Sequence, residues 1–191
     1  MHSIRKLAPS LSDADLVLAA RSGELWARET LFKRHVDAVY GLAFRLLGPH
    51  GGARDALHAA FVRCFSSLSD VKDPAAFRFA ILRLTLRVVQ RRLSRRRWLV
   101  MARLAPAPDF EAFQSQLAST TSADVTTELG LFYQLIELLP AEQRIVLVLR
   151  RIDGMQAEEI AGLMGVSAPR VRRWLASAQR HIGPLRGSLA S

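Results

Sequence analysis

The feature that most constrains this chain is a three-residue turn, Gly165-Val166-Ser167. It separates two short segments, 156–164 and 168–182, that both carry apolar residues at helical spacing. Glycine suits the close of the first helix. Ser167 suits the cap of the second, and Pro169 is tolerated in its first turn. The second helix must turn an apolar face inward to pack on the first. At about 100° per residue, Val171, Leu175, Ala178 and Ile182 supply that face. Arg173, Ser177 and Arg180 fall opposite, with Arg170 and Arg172 flanking them near the start. Trp174 sits at the boundary, as a core or edge residue.

The rest of the chain obeys the same period. Strand alternation is nearly absent, and all-α is the expected class. A helix follows Ser12-Asp13, and Gly23 interrupts the pattern. A long helix is expected over 25–47, stopped by Gly48-Pro49-His50-Gly51-Gly52. Helices over 53–68 and 75–101 come next, with a turn at 70–74. The stretch 104–125 is rich in Ala, Ser, Thr and Pro and reads as a flexible linker. Beyond it, helices are expected over 128–139, from Pro140 to 151, over 156–164, and from 168 to Ile182 before Gly183-Pro184. The expectation is two small helical domains, 12–103 and 126–186, the second a four-helix domain built on a helix-turn-helix. Short tails cover 1–11 and 187–191.

Charge sorts with this division. Lys and Arg number 27 against 17 Asp and Glu, a net charge of +10. Between Asp73 and Asp109 there are nine arginines and no acid. Between Arg103 and Arg144 there is no basic residue, while Asp109, Glu111, Asp124, Glu128, Glu137 and Glu142 occur. A basic domain edge is thus followed by an acidic tether. Such clustering favours a polyanionic partner, nucleic acid before an anionic membrane surface. The plain alternative is a solvated basic surface.

Other chemistries find little support. Cys64 is the only cysteine, which excludes an intramolecular disulfide and any cysteine-paired zinc site. It lies in an apolar helical stretch and reads as core packing. The histidines show no metal-ligand spacing. No apolar run approaches the roughly 18 residues of a spanning helix, and no secretory signal opens the chain, so a cytoplasmic protein without membrane insertion is expected. There is no Gly-rich phosphate loop, nucleophile elbow or pair of catalytic carboxylates. The expectation is a non-enzyme with no cofactor and no metal.

In a helix-turn-helix the second helix enters the major groove. Arginine there can pair with guanine edges or with phosphate. Arg170, Arg172, Arg173, Ser177 and Arg180 are therefore the candidate DNA contacts of the second domain. The run LPAEQRIVLVLRRIDGMQAEEIAGLMGVSAPRVRRWLASAQRHI resembles the upstream-element-binding domain of extracytoplasmic-function sigma factors, bacterial RNA polymerase subunits. Leu139-Pro140, Asp153-Gly154, Glu158-Glu159-Ile160-Ala161 and Gly165-Val166 fill that family's characteristic places. SDADLVLAARSGELWARETLFKRHVDAVYGLAFRLLG resembles the opening helices of the family's other domain, so the likeness covers nearly everything except the tether.

The resemblance implies core-polymerase binding, promoter-specific initiation and a dedicated antagonist, an anti-sigma factor. In GARDALHAAF it assigns clamp contact to Asp55, His58 and Phe61. Arg54, His58 and Ala59 stand where the family has acidic and amide residues. In FRFAILRLTLRVVQRRLSRRR, Ala80, Leu82, Arg87 and Arg91 stand where the family carries Trp, Tyr, Asn and Asp. From the residues themselves, Phe77, Ile81, Leu84 and Val88 form a core stripe, and Leu82, Leu86 and Leu93 a second. Arg83, Arg87, Arg91, Arg92, Arg95 and Arg96 are candidate phosphate contacts. Trp98 reads as packing or capping. The tether is expected to enter the polymerase channel that later carries RNA. The competing reading is a helix-turn-helix regulator that does not engage core polymerase.

Overall fold

The computed structural model describes residues 11–48, 51–102, 104, 136 and 139–189, with side chains through Ile182. Among these residues every regular element is helical: α1 Asp13–Arg21, α2 Leu25–Leu47, α3 Ala53–Ser66, α4 Phe77–Met101, α5 Ala141–Arg151, α6 Ala157–Met164 and α7 Ala168–Leu189. Single 3-10 turns lie at Leu68–Asp70 and Pro74–Ala76. The chain divides into two compact units, Met1–Arg45 with Gly52–Val88, and Leu46–Gly51 with Val89–Ser191. The division runs through α4. The expected linker, apart from Leu104, and most of the expected 128–139 helix fall outside the described residues.

In the first unit, α1 starts on a reciprocal cap. The Asp15 N–H donates to Ser12 Oγ at 3.2 Å, and the Ser12 N–H donates back to the Asp15 carboxylate at 3.2 Å. This satisfies donors that a helix start leaves without partners. Leu16, Val17 and Ala20 turn inward from α1. They join Ala27, Leu31 and Val39 of α2, Ala60, Phe61 and Cys64 of α3, and Phe77 and Ile81 of α4 in one core. Gly48, at φ +77°, ends α2 in a left-handed conformation that glycine adopts without penalty. Asp13 anchors α1 to α2: Arg34 Nη1 lies 2.6 Å from its carboxylate and His35 Nε2 2.8 Å. Cys64 is fully buried, and burial pushes its thiol up to about 12. It packs as the apolar stretch led one to expect.

In the second unit α5, α6 and α7 pack on one another. Ile145–Leu149 of α5 are all buried. That near-continuous burial marks a helix with neighbours on several sides. Ile160, Ala161 and Leu163 of α6 and Val171 and Ala178 of α7 complete the apolar contact. Gln90 Nε2 donates to Glu142 Oε1 at 2.9 Å, linking the middle of α4 to the start of α5.

One boundary differs from expectation. The backbone of α7 continues to Leu189 rather than stopping at Ile182. Proline removes one donor from the helical ladder, at a cost of about 3 kcal/mol in a helix interior. It weakens the helix at Gly183-Pro184 without dictating its end.

Candidate nucleic-acid interface

The turn between α6 and α7 forms as its residues require. Gly165 closes α6 at φ 70°, its N–H donating to Ala161 O at 2.8 Å. The Val166 N–H donates to the same carbonyl at 3.0 Å. Two donors thus converge on one carbonyl that the helix leaves open. Across the turn, the Ser167 carbonyl accepts from the Arg170 N–H at 3.0 Å and the Val171 N–H at 3.2 Å, which starts α7. At the other end of α6, the Gln156 N–H donates to the Glu159 carboxylate at 2.6 Å.

α7 then presents the two faces expected of it. Val171 and Ala178 are buried; Leu175 and Ile182 are half-buried. Arg170, Arg172, Arg173 and Arg180 are exposed. Their side of the helix borders an open concavity of about 830 Å³, lined by Gln143, Arg170, Arg173, Trp174, Ser177 and Arg180.

These residues are not equivalent. Arg170 places its guanidinium 5.1 Å from the centre of the Trp174 ring, a cation–π contact along one turn of helix. Trp174 is therefore an edge residue. Arg172 turns aside: its Nη1 lies 2.7 Å from Glu158 of α6. Backbone hydrogen bonding at the start of α6, and then Arg172, hold the Glu158 carboxyl below the ordinary range. Ser177 Oγ accepts from Gln143 Nε2 of α5 at 3.1 Å, so it ties two helices together. Arg173 and Arg180 are left as exposed guanidiniums on the outward face.

The second basic element is α4. Arg87 lies on its exposed surface in the first unit, and Arg91 and Arg95 in the second; Arg83, Arg92 and Arg96 are half-buried. Trp98 is 62% exposed, so it does not pack as a core residue. Helical spacing defines its face but not whether a neighbour covers that face.

On α3, Asp55 and His58 are exposed and share a face with the exposed Val62. Phe61 is buried, with its ring centre 4.7 Å from Phe32 and 5.7 Å from Phe65. Among the described residues no group of three or more His, Cys, Asp or Glu could hold a metal ion. No described helix is long and apolar enough to cross a membrane.

Comparison with known proteins agrees with this arrangement. The family model for sigma-70 region 4 matches residues 129–182, which include α5, α6 and most of α7. The chain is 24% identical over 187 residues to the ECF RNA polymerase sigma-E factor of Escherichia coli K12, covering 92% of this chain and 95% of the relative. It is 31% identical over 150 residues to the ECF sigma factor SigE of Mycolicibacterium smegmatis, covering 75% of this chain and 55% of that protein. Among solved structures, CnrH in complex with the cytosolic domain of CnrY shares the fold, with a TM-score of 0.58 and 24% identity over 92% of this chain and 97% of that one. The chain belongs to the extracytoplasmic-function family of bacterial RNA polymerase sigma factors.

Proposed function

We propose that this sigma factor engages core polymerase through α3, at the face carrying Asp55 and His58 and with the buried Phe61 packing the same helix, and reads the upstream promoter element with α7. The functional domains in this reading are 12–103 and 126–186, joined by the acidic tether 104–125. Arg173 and Arg180 enter the major groove. Arg170, steadied by Trp174, contacts bases or phosphate near the start of the helix. Arg172 and Ser177 set the position of α7, and their DNA contacts are secondary. Arg87, Arg91 and Arg95 meet phosphates from α4, with Arg83, Arg92 and Arg96 at its flanks.

The observation that carries this reading is the outward face of α7: exposed arginines and no acid, presented by a helix fixed through a tight turn. The protein itself catalyses nothing. Its binding free energy helps open the duplex, and polymerase performs the chemistry. It works in the cytoplasm. Its activity is restrained by a dedicated protein antagonist, an anti-sigma factor; the fold neighbour CnrH is in complex with the cytosolic domain of CnrY. The acidic tether carries the sign of RNA and enters the basic channel of polymerase.

Run-off transcription with purified core and genomic fragments tests the proposal. Discrete promoter-specific transcripts are expected only when protein, core and DNA are combined. DNA binding without core association at micromolar concentration would leave only a helix-turn-helix regulator.

A further inference from the structure

The start of α6 carries two adjacent carboxylates with different partners. Glu159 turns back and accepts from the Gln156 N–H at 2.6 Å, closing the start of its own helix. Glu158 reaches across to α7, where Arg172 Nη1 donates to its Oε1 at 2.7 Å. Arg150, the other guanidinium whose charge acts on Glu158, is occupied by the α5–α6 turn: its Nη1 donates to Met155 O at 3.1 Å and to Gln156 Oε1 at 2.8 Å. The Arg172 side chain is 57% exposed and that of Glu158 66%. An ion pair so open to water adds little to stability. Its effect falls instead on whatever competes for Arg172.

That competitor is a DNA phosphate. In a helix-turn-helix the first helix crosses the DNA backbone while the second lies in the groove. A helix start is ordinarily a favourable place for a phosphate. In this chain carboxylates fill that place, and one of them holds an arginine of the following helix.

We propose that Glu158 is a specificity-determining residue that acts by withholding Arg172 from the DNA backbone. Phosphates are alike on every sequence, so a contact to one raises binding to all DNA without discriminating. Holding Arg172 on Glu158 leaves a smaller share of the affinity to such contacts. At the upstream element, Arg173 fixes the rotation of α7, and Arg172, about 100° round the helix from it, stays turned toward α6. On other DNA no base contact fixes that rotation, and an unheld Arg172 reaches a phosphate. The inference rests on the reading of α7 as the upstream-element helix, and it adds a residue of α6 that touches no base.

The experiment uses the full chain and two labelled duplexes of equal length and composition, titrated over a range of salt. One carries an upstream element recovered by run-off transcription, and the other is scrambled. E158Q should raise affinity for the scrambled duplex about threefold, within the factor of about five that an exposed pair can contribute. It should also steepen the log–log salt slope there by up to about 0.9, the worth of one phosphate. The upstream-element duplex should gain less, so the preference between the two falls. R172A should cost more scrambled-duplex affinity in the E158Q background than in the wild-type chain. Equal costs in the two backgrounds, an equal gain on both duplexes, or scrambled-duplex affinity that stays the same or drops in E158Q would overturn the proposal. Melting followed by circular dichroism shows whether E158Q stays folded. If it does not, E158D decides in the same direction, because it keeps a charge at the helix start but is one methylene shorter. Wild-type protein with no preference between the duplexes would contradict the reading of α7; the cost of R172A in the two backgrounds then still decides whether Glu158 withholds it.

Discussion

α4 and α7 are both rich in arginine, yet they use it differently. On α7 the exposed arginines gather on one side, and the structure sorts them by partner: Arg170 on Trp174, Arg172 on Glu158, Arg173 and Arg180 outward. On α4 the arginines surround the helix. Some are exposed and some half-buried, because apolar stripes claim more than one side of the same turns. A face concentrated on one side suits reading at a fixed register. A diffuse collar with a protruding ring suits holding a backbone. The same residue type is thus gathered on one face in one element and spread around the other, and the difference lies in what each helix buries.

The comparison can be broken most severely at the α6–α7 contact. Ile160 of α6 is fully buried. Ile160→Ala should cost about 2–5 kcal/mol of stability, read as a drop in melting temperature. It should also abolish binding to an upstream-element duplex. Retained duplex affinity in a destabilised protein would show that α7 keeps its placement without this contact.

A finer test stays within α7. Arg173→Ala should cost about 1–3 kcal/mol of duplex affinity and relax preference at one base position. Arg172→Ala should cost less, because its guanidinium is already paired with Glu158. Binding measured across a set of single-base promoter variants separates them. A uniform loss across sequences for Arg173→Ala would move it from base reading to phosphate contact. A larger loss for Arg172→Ala would reverse their roles.

The smallest expected effect is a pH dependence confined to the first unit. Burial lowers the pKa of His35 below its ordinary value; Asp13 opposes the shift, while Arg78 and Arg34 add to it. The unfolded chain therefore binds the proton more tightly than the folded one. The stabilising contribution is complete above about pH 6.5 and is lost as pH falls from there through the folded-state value. Wild-type melting temperature should fall more between pH 7 and pH 5 than that of His35→Gln. Parallel pH profiles would show that His35 does not set this dependence.

Much of this was legible because the signals are local. Gly165 with Val166 and Ser167 announces a turn whose backbone follows from those three residues, and 25–47 is bounded by its own glycines. What escaped depends on three-dimensional neighbours. Trp98 is exposed because none of the described residues covers it. Phe61 reads as a surface contact by its place in the motif, yet Phe32 and Phe65 enclose it. The pairing of Arg172 with Glu158 spans 14 positions and arises only when α6 and α7 cross. The end of α7 was misplaced because Gly183-Pro184 weakens a helix without forbidding it.

The bond from Gln143 to Ser177 has a mechanical consequence. Sliding α7 along α5 by one residue would shift it about 1.5 Å and bring a different side chain opposite the amide. Ser177 is half-buried, so such a slip would give up a hydrogen bond in a partly shielded place. The bond acts as a detent, making the placement of the helix stepwise rather than continuous. Meeting DNA then requires only the ends of the arginines to become ordered, since the rod that carries them is already indexed.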